Sequence, residues 1–229
     1  MAFLVIEGLD GSGKSTQVRM LRDYLDKEGT EYSFIHFPRT ETGVFGQLIS
    51  MFLRGDLGKI GDVNPYLVAL LYAADRHDAK KEMFEWLSDG KLLVADRYVI
   101  SNIAYQCAKL KTTLEKNQLA EWITCLEFVK YGIPRPDLNI FLDVPFEFTM
   151  HNLGKSRSGD ERAYLGGNTD IHEADLEFQK KVRQVYNTRS ETDPSVMLIP
   201  CYDENMAMLP PGKIFERILE LLRNENIIV

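Results

Sequence analysis

A three-layer α/β fold, with a parallel sheet between two layers of helices, is what this sequence predicts, and three observations carry the prediction. Five short apolar, β-rich segments at 3–6, 32–36, 92–95, 138–142 and 196–199 recur along the chain with helical patterns between them. Their apolar character continues through both faces, which suits parallel strands covered on each side; a sheet with one wet face would alternate. Proline and glycine punctuate the joints between segments.

Each element has its own signal. The first apolar run leads into Gly8-Leu9-Asp10-Gly11-Ser12-Gly13-Lys14-Ser15, which satisfies G-x-x-x-x-G-K-[ST] at every fixed position. Glycines let consecutive N–H groups turn inward around a phosphate, and the following helix adds the positive end of its dipole. Lys14 is then placed for the β- and γ-phosphates and the Ser15 hydroxyl for Mg²⁺, with Gly8, Asp10, Gly11, Ser12, Gly13 and Thr16 completing the cradle of a nucleoside triphosphate. Val18, Leu21 and Leu25 lie at helical spacing behind the loop, and Gly29 stops that helix. Asn64-Pro65 opens a helix through Leu67, Leu70 and Leu71 toward Trp86, ended by Asp89-Gly90. Pro134-Arg135-Pro136-Asp137 breaks a helix and feeds the fourth strand, and Pro210-Pro211-Gly212 precedes a terminal helix on Ile214, Ile218 and Leu221. One stretch, 155–168, is polar, glycine-bearing and weakly periodic; with Arg157 and Arg162 beside paired glycines it predicts a lid over about 154–170.

Motifs spread from end to end predict a single domain over 1–229. The net charge of -7 argues against a nucleic-acid polymer as main partner, because such binding needs a basic face, whereas a small anion needs only local arginines. Cys107, Cys125 and Cys201 are odd in number and unpaired in spacing, which predicts reduced, buried packing residues rather than disulfides or a zinc site. No apolar run reaches membrane-spanning length, and the first ends at Glu7 without a cleavage site, so a soluble cytoplasmic protein is expected.

A phosphate loop alone does not choose between kinases, switches and motors. The third strand ends in Asp96-Arg97-Tyr98, at the carboxyl edge of the sheet where α/β proteins bind ligands. Asp96 can hold Mg²⁺ and Arg97 a second phosphate; Arg39, in Phe37-Pro38-Arg39, follows the second strand to the same edge. The guanine-reading N-K-x-D sequence of GTPase switches is absent, and a switch has no use for a second anion site. Tyr72 and Arg76 share a helix face, so a flat ring can stack on a base beside a guanidinium. Arginine only donates, which suits the O4 acceptor of thymine and meets the N4 amino group of cytosine donor to donor. Asn102 and Gln106, in the helix after Arg97, can complete the ring edge, and Tyr105 and Tyr164 can wall the sugar.

The chain resembles thymidylate kinase through Glu7-Gly8-Leu9-Asp10-Gly11-Ser12-Gly13-Lys14-Ser15-Thr16-Gln17, Phe37-Pro38-Arg39, Leu70-Leu71-Tyr72-Ala73-Ala74-Asp75-Arg76, Asp96-Arg97-Tyr98 with Ser101, and Pro136-Asp137-Leu138. The resemblance implies a P-loop kinase fold with five parallel strands, ATP as phosphoryl donor, dTMP as acceptor and a homodimer. It adds Phe37 and Ser101 to the acceptor site and puts the loop at 202–208 beside the adenine. For Asp10 it implies contact with the sugar 3′-hydroxyl or the orienting of an arginine; a plain solvent-facing turn carboxylate is the alternative. One branch of the family carries an arginine in the phosphate loop where this chain has Gly11, so the resemblance is to the branch with a catalytic lid arginine, Arg157 or Arg162. The alternatives in function are another (deoxy)nucleoside or nucleoside-monophosphate kinase, and a non-catalytic nucleotide-binding switch.

Overall fold

In the computed structural model, which describes residues 2–153, 165 and 170–228, the strands are β1 (Phe3–Gly8), β2 (Tyr32–His36), β3 (Leu92–Asp96), β4 (Leu138–Asp143) and β5 (Val196–Pro200). Each contains the apolar segment that predicts it. They form one five-stranded sheet in the order β2-β3-β1-β4-β5, and every pairing is parallel. Phe3 lies opposite Leu93, and Leu4 opposite Leu138, so β1 is the middle strand and wholly buried.

Side chains alternate across β1 and divide the core in two. Leu4 and Ile6 pack with Val18, Leu21 and Leu25 of α1 (Lys14–Glu28) and with Ile214, Ile218 and Leu222 of α9 (Pro211–Asn224). Phe3 and Val5 face the opposite layer. It is built from Ala69 and Met83 of α3 (Pro65–Ser88), Ile103 of α4 (Val99–Cys107), Leu119 of α5 (Thr113–Thr124) and Val182 of α8 (Leu176–Thr192). A smaller cluster joins α2 (Gly43–Leu53) to Val68 at the start of α3. The short helices α6 (Phe146–Leu153) and α7 (Ile171–Ala174) lie on either side of the stretch predicted as a lid. Apart from Leu165 and Asp170, that stretch, with Arg157, Arg162 and Tyr164, lies outside the described residues.

The boundary signals act as their chemistry requires. Gly13 enters α1 in the left-handed region, φ 82°, and Gly29 leaves it at φ 67°, its N–H donating to Leu25 and Asp26. The Asn64 side chain accepts from the N–H of Tyr66 at 2.9 Å, with Pro65 in the first turn of α3. A reciprocal Thr112–Glu115 capping box starts α5, which runs on into a π-helical turn, Cys125–Tyr131.

That turn corrects one expectation. Cys107 and Cys201 are buried, but Cys125 is exposed, because the turn commits Glu127 to the interior and leaves Cys125 on the outer side. No helix among the described residues is long and apolar enough to cross a membrane.

Phe141 of β4 is wholly buried and stacks on Tyr186 of α8, ring centroids 4.4 Å apart and planes within 4°. Phe141→Ala is expected to destabilise by about 3–5 kcal/mol, the range for emptying a buried aromatic site. Urea denaturation measures it, and a loss below about 1 kcal/mol would contradict this packing.

Candidate active site

The carboxyl ends of β1, β3 and β2 meet at one edge, with Ile6 and His36 both opposite Asp96. From β1 the chain turns at once. Leu9 O accepts from Ser12 N at 3.3 Å, and Gly13 O accepts from Thr16 and Gln17 at 3.1 and 3.3 Å. Gly11 and Gly13 both take positive φ, which lets the intervening peptides face inward. Lys14 is buried and ion-paired to Asp96 Oδ1, while His36 Nδ1 lies 3.2 Å from Oδ2. Burial alone would raise the Asp96 carboxyl; Lys14 and His36 outweigh it and hold the group well below the usual carboxylate range. Ser15 and Thr16 follow on α1, Ser15 exposed. Asn152 Nδ2 donates to Gly11 O at 2.9 Å and braces the loop from α6.

Beside the loop stands a second group. Arg97 Nη2 donates to Asp10 Oδ1 at 2.6 Å, Tyr105 OH to Asp10 Oδ2 at 2.7 Å, and Gln179 Nε2 to the same oxygen at 3.0 Å. Burial pushes the Asp10 carboxyl up, but Arg97, Tyr105 and Gln179 together hold it below its ordinary value. Asp10 is therefore no solvent-facing turn carboxylate. Arg97 reaches it from a backbone at φ 66°, costly for a non-glycine residue and held by the bond from its N–H to Ile6 O at 3.0 Å. Its Nη1 donates to Ser101 Oγ at 3.3 Å, and its guanidinium lies over the Tyr105 ring.

Arg39 and Arg76 are each held by a carboxylate. Arg39 donates through Nε to Asp75 Oδ1 at 2.9 Å and through Nη2 to Asp75 O at 2.7 Å, while its backbone N–H reaches Asp75 Oδ2 at 2.9 Å. Gly46 of α2 sits directly under this turn, where an added Cβ would come within 2.1 Å of Arg39 O. Arg76, 1% exposed, makes a forked pair with Glu127, Nε to Oε2 at 2.5 Å and Nη2 to Oε1 at 2.7 Å. Phe37 is buried beneath both arginines, each guanidinium about 6 Å from its ring centre (6.0 and 5.9 Å). Asn102 Nδ2 donates to Ala69 O and Glu127 Oε1, both at 3.0 Å, and its Oδ1 has no partner. Gln106 is buried with neither amide atom partnered, and Tyr72 is half-buried above the α2 cluster. Buried polar atoms without partners are uncommon in folded proteins; among the described residues they include the two amides that the sequence assigns to a base edge, alongside others such as Gln17 Oε1 and Asn139 Oδ1 away from it.

Several groups at this edge escape a sequence reading. Asp75 adjoins Arg76 in the quoted run, yet faces Arg39; Glu127 and Gln179 show only as ordinary helix polar residues. His172 is buried among Phe52, Tyr105 and Phe178 with Nε2 unpartnered, and burial, with Lys109 and Arg97 nearby and only Asp10 opposing, lowers its pKa to about 3. Burial likewise lowers Lys109, over the Phe52 ring, to about 7. On the far side Arg183 forks onto Asp143 at 2.6 and 2.8 Å, and Tyr202 OH reaches the same carboxylate at 3.1 Å.

Known proteins resemble this chain. The profile of the family described as thymidylate kinase matches residues 6–205, which span the loop, the Asp96-Arg97 junction and the stretch predicted as a lid. This chain belongs to the thymidylate kinase family. A protein of Pyrococcus abyssi named "Probable thymidylate kinase" is 31% identical over 225 residues, covering 97% of this chain and 96% of its own. The thymidylate kinase of Mycobacterium tuberculosis is 31% identical over 183 residues, 80% of this chain and 83% of that one. A solved thymidylate kinase from Candida albicans is 23% identical, with a TM-score of 0.71 over 98% of this chain and 92% of that chain, and shares the fold.

Two measurements check the geometry of this thymidylate kinase family site. In Gly46→Ala the new methyl must displace the Arg39 turn, so acceptor KM is expected to rise about tenfold or more with ATP KM little changed. Unchanged steady-state kinetics would remove Gly46 from the support of Arg39. The second uses pH. Above about 6.5 His172 is neutral in folded and unfolded chains; below it the unfolded chain gains a proton that the folded one refuses until about 3, so stability falls across that window. His172→Phe is expected to flatten the fall between pH 7 and pH 4.5 in urea midpoints, and an equally steep fall would contradict a neutral buried imidazole.

Proposed function

We propose that the chain transfers the γ-phosphoryl group of ATP to dTMP, giving ADP and dTDP on the way to dTTP. Family membership supports the reaction. The observation that carries it to these residues is the pair of anion sites at one edge: the loop with Lys14, and Arg97 held by Asp10 beside it.

The chemistry needs little more than that. The second pKa of a phosphate monoester lies near ~6, so the attacking oxygen is already largely anionic at neutral pH and no general base is required. Two anions that repel one another must instead be held in line and their charge offset. The loop amides and Lys14 take the β- and γ-phosphates, and Arg97 and Arg39 take the acceptor phosphate. Asp10 sets the direction of Arg97 and, with Tyr105, borders the sugar. Phe37 and Ser101 fix the two arginines, Tyr72 stacks on the base, Arg76 donates to its O4, and Asn102 and Gln106 meet the rest of its edge. Because position 11 is glycine, the last cation comes from Arg157 or Arg162 of the lid, with Tyr164 closing over the sugar.

The Ser15 hydroxyl and the ionised Asp96 carboxylate are hard oxygen donors at the phosphate end of the site, a set that fits Mg²⁺. When bound, the ion supplies charge neutralisation across the β- and γ-oxygens. We further propose one domain over 1–229, a homodimer working in the cytoplasm, and the loop at 202–208 beside the adenine.

A coupled assay of ADP release across nucleoside monophosphates tests the reading. dTMP is expected to be the best acceptor, and Lys14→Ala, with its fold checked by circular dichroism, to lower turnover about 10²-fold or more. A preference for a purine monophosphate, or wild-type turnover in the folded Lys14→Ala variant, would reject it.

A further inference from the structure

Glu127 is wholly enclosed, 0% exposed, in the π-helical turn Cys125–Tyr131, and it holds two residues at once. Its Oε1 accepts from Arg76 Nη2 at 2.7 Å and from Asn102 Nδ2 at 3.0 Å, while Oε2 takes Arg76 Nε at 2.5 Å. A buried forked pair of this kind does little for stability that apolar residues of like volume would not, because removing two charges from water offsets most of their attraction. A wide helical turn is also a recurrent device at functional sites. The pair calls for a purpose other than cohesion.

That purpose is legible in what Glu127 leaves over. Both hydrogens of Asn102 Nδ2 are spent, one on Ala69 O and one on Glu127, so Oδ1 is directed away from them and has no partner. Reversing the amide would set its oxygen against two acceptors, so Ala69 O and the Glu127 carboxylate together decide which way it points. The same carboxylate engages Nε and Nη2 of Arg76 and leaves Nη1 outside the pair. The outcome is an acceptor beside a donor, joined through one oxygen.

We propose that Glu127 is a positioning residue for base choice, setting the Asn102 amide as an acceptor and Arg76 as a donor toward the Watson–Crick edge of the acceptor nucleotide. Thymine and uracil present N3–H next to O4, a donor next to an acceptor, and match both groups. Cytosine presents an acceptor N3 next to a donor N4 and opposes both. A site whose buried polar groups pair with one base is left with unmet groups by the other, which is where large discrimination arises. Glu127 touches no substrate in this scheme; it acts through the two residues that do.

The inference rests on the reading of the acceptor as dTMP, and the test separates the two. Wild-type kcat and KM are measured first for dTMP, dUMP and dCMP; a wild type that does not use dTMP overturns that reading and this inference with it. In E127Q the side chain can donate as well as accept, so one of the two acceptors that fix the Asn102 amide is lost, as is the charge that holds Arg76. The kcat/KM ratio of dTMP over dCMP is expected to fall at least tenfold, through a higher KM for dTMP, with the KM for ATP within about twofold of wild type. Since breaking a buried pair can unfold a chain, E127D is measured in parallel. It keeps the charge but withdraws it by one methylene from Asn102, and a fall of at least threefold in the same ratio is expected. Equal losses for dTMP and dCMP in whichever variant is folded by circular dichroism, leaving the ratio unchanged, would mark Glu127 as purely structural and overturn the proposal.

Discussion

The carboxylate of Glu7, enclosed at the end of β1, ties the carboxyl edge of the sheet together. It accepts from the backbone of Tyr98 at 2.9 Å and of Ser101 at 3.2 Å, from the Ser101 hydroxyl, and from Tyr186 OH at 2.9 Å. A carboxyl group this deep is tolerable only with its lone pairs occupied, and the start of α4 supplies both N–H groups, from Tyr98 at its N-cap and Ser101 in its first turn. Strand, helix start and α8 are thereby locked in one arrangement. Its consequence falls on Arg97, caught between β3 and α4, whose left-handed backbone is held in place by the contacts around it.

A pattern follows from that rigidity. The arginines at the edge do not wait as free cations: Arg97 is held by Asp10, Arg39 by Asp75, Arg76 by Glu127 and Arg183 by Asp143. Each carboxylate weakens the pull of its arginine on an anion and in exchange removes rotamers that binding would otherwise have to freeze. For a transfer between two phosphates, placement to a fraction of an ångström outweighs raw attraction. The surplus of acidic groups in the whole chain fits a site that relies on local, oriented cations rather than on a broad positive field.

The strands, the phosphate loop and the caps were legible because their signals are local: an apolar run, a glycine spacing, an Asn-Pro step. Arg97 and Arg39 were legible for a related reason, since each follows a strand and inherits its position from the sheet. What stayed hidden depends on distance along the chain. Glu127 meets Arg76 across 51 positions and Gln179 meets Asp10 across 169, and nothing near either residue announces its partner. Glu127 continues the buried face of Leu119, Ala120 and Ile123 at helical spacing, but a carboxylate in that place reads as a surface residue; Cys125, two places on from Ile123, falls on the other side and is exposed against expectation. His172 stands beside the lid stretch as a polar residue in a polar context, and only the enclosing rings of Phe52, Tyr105 and Phe178 make it an interior group.

The central place of β1 has a bearing on how the protein is made. β1 precedes both of its neighbours along the chain, since Phe3 needs Leu93 on one side and Leu4 needs Leu138 on the other. Until β3 has been synthesised, an apolar strand and the loop attached to it have no sheet to join, and until β4 follows one edge of that strand stays open. Such long closures slow folding and leave unpaired edges open to other nascent chains. The architecture that encloses the phosphate loop thus also makes its completion a late event in the growing polypeptide, and a chain cut short before β4 would carry the whole loop on a strand with one edge unpaired.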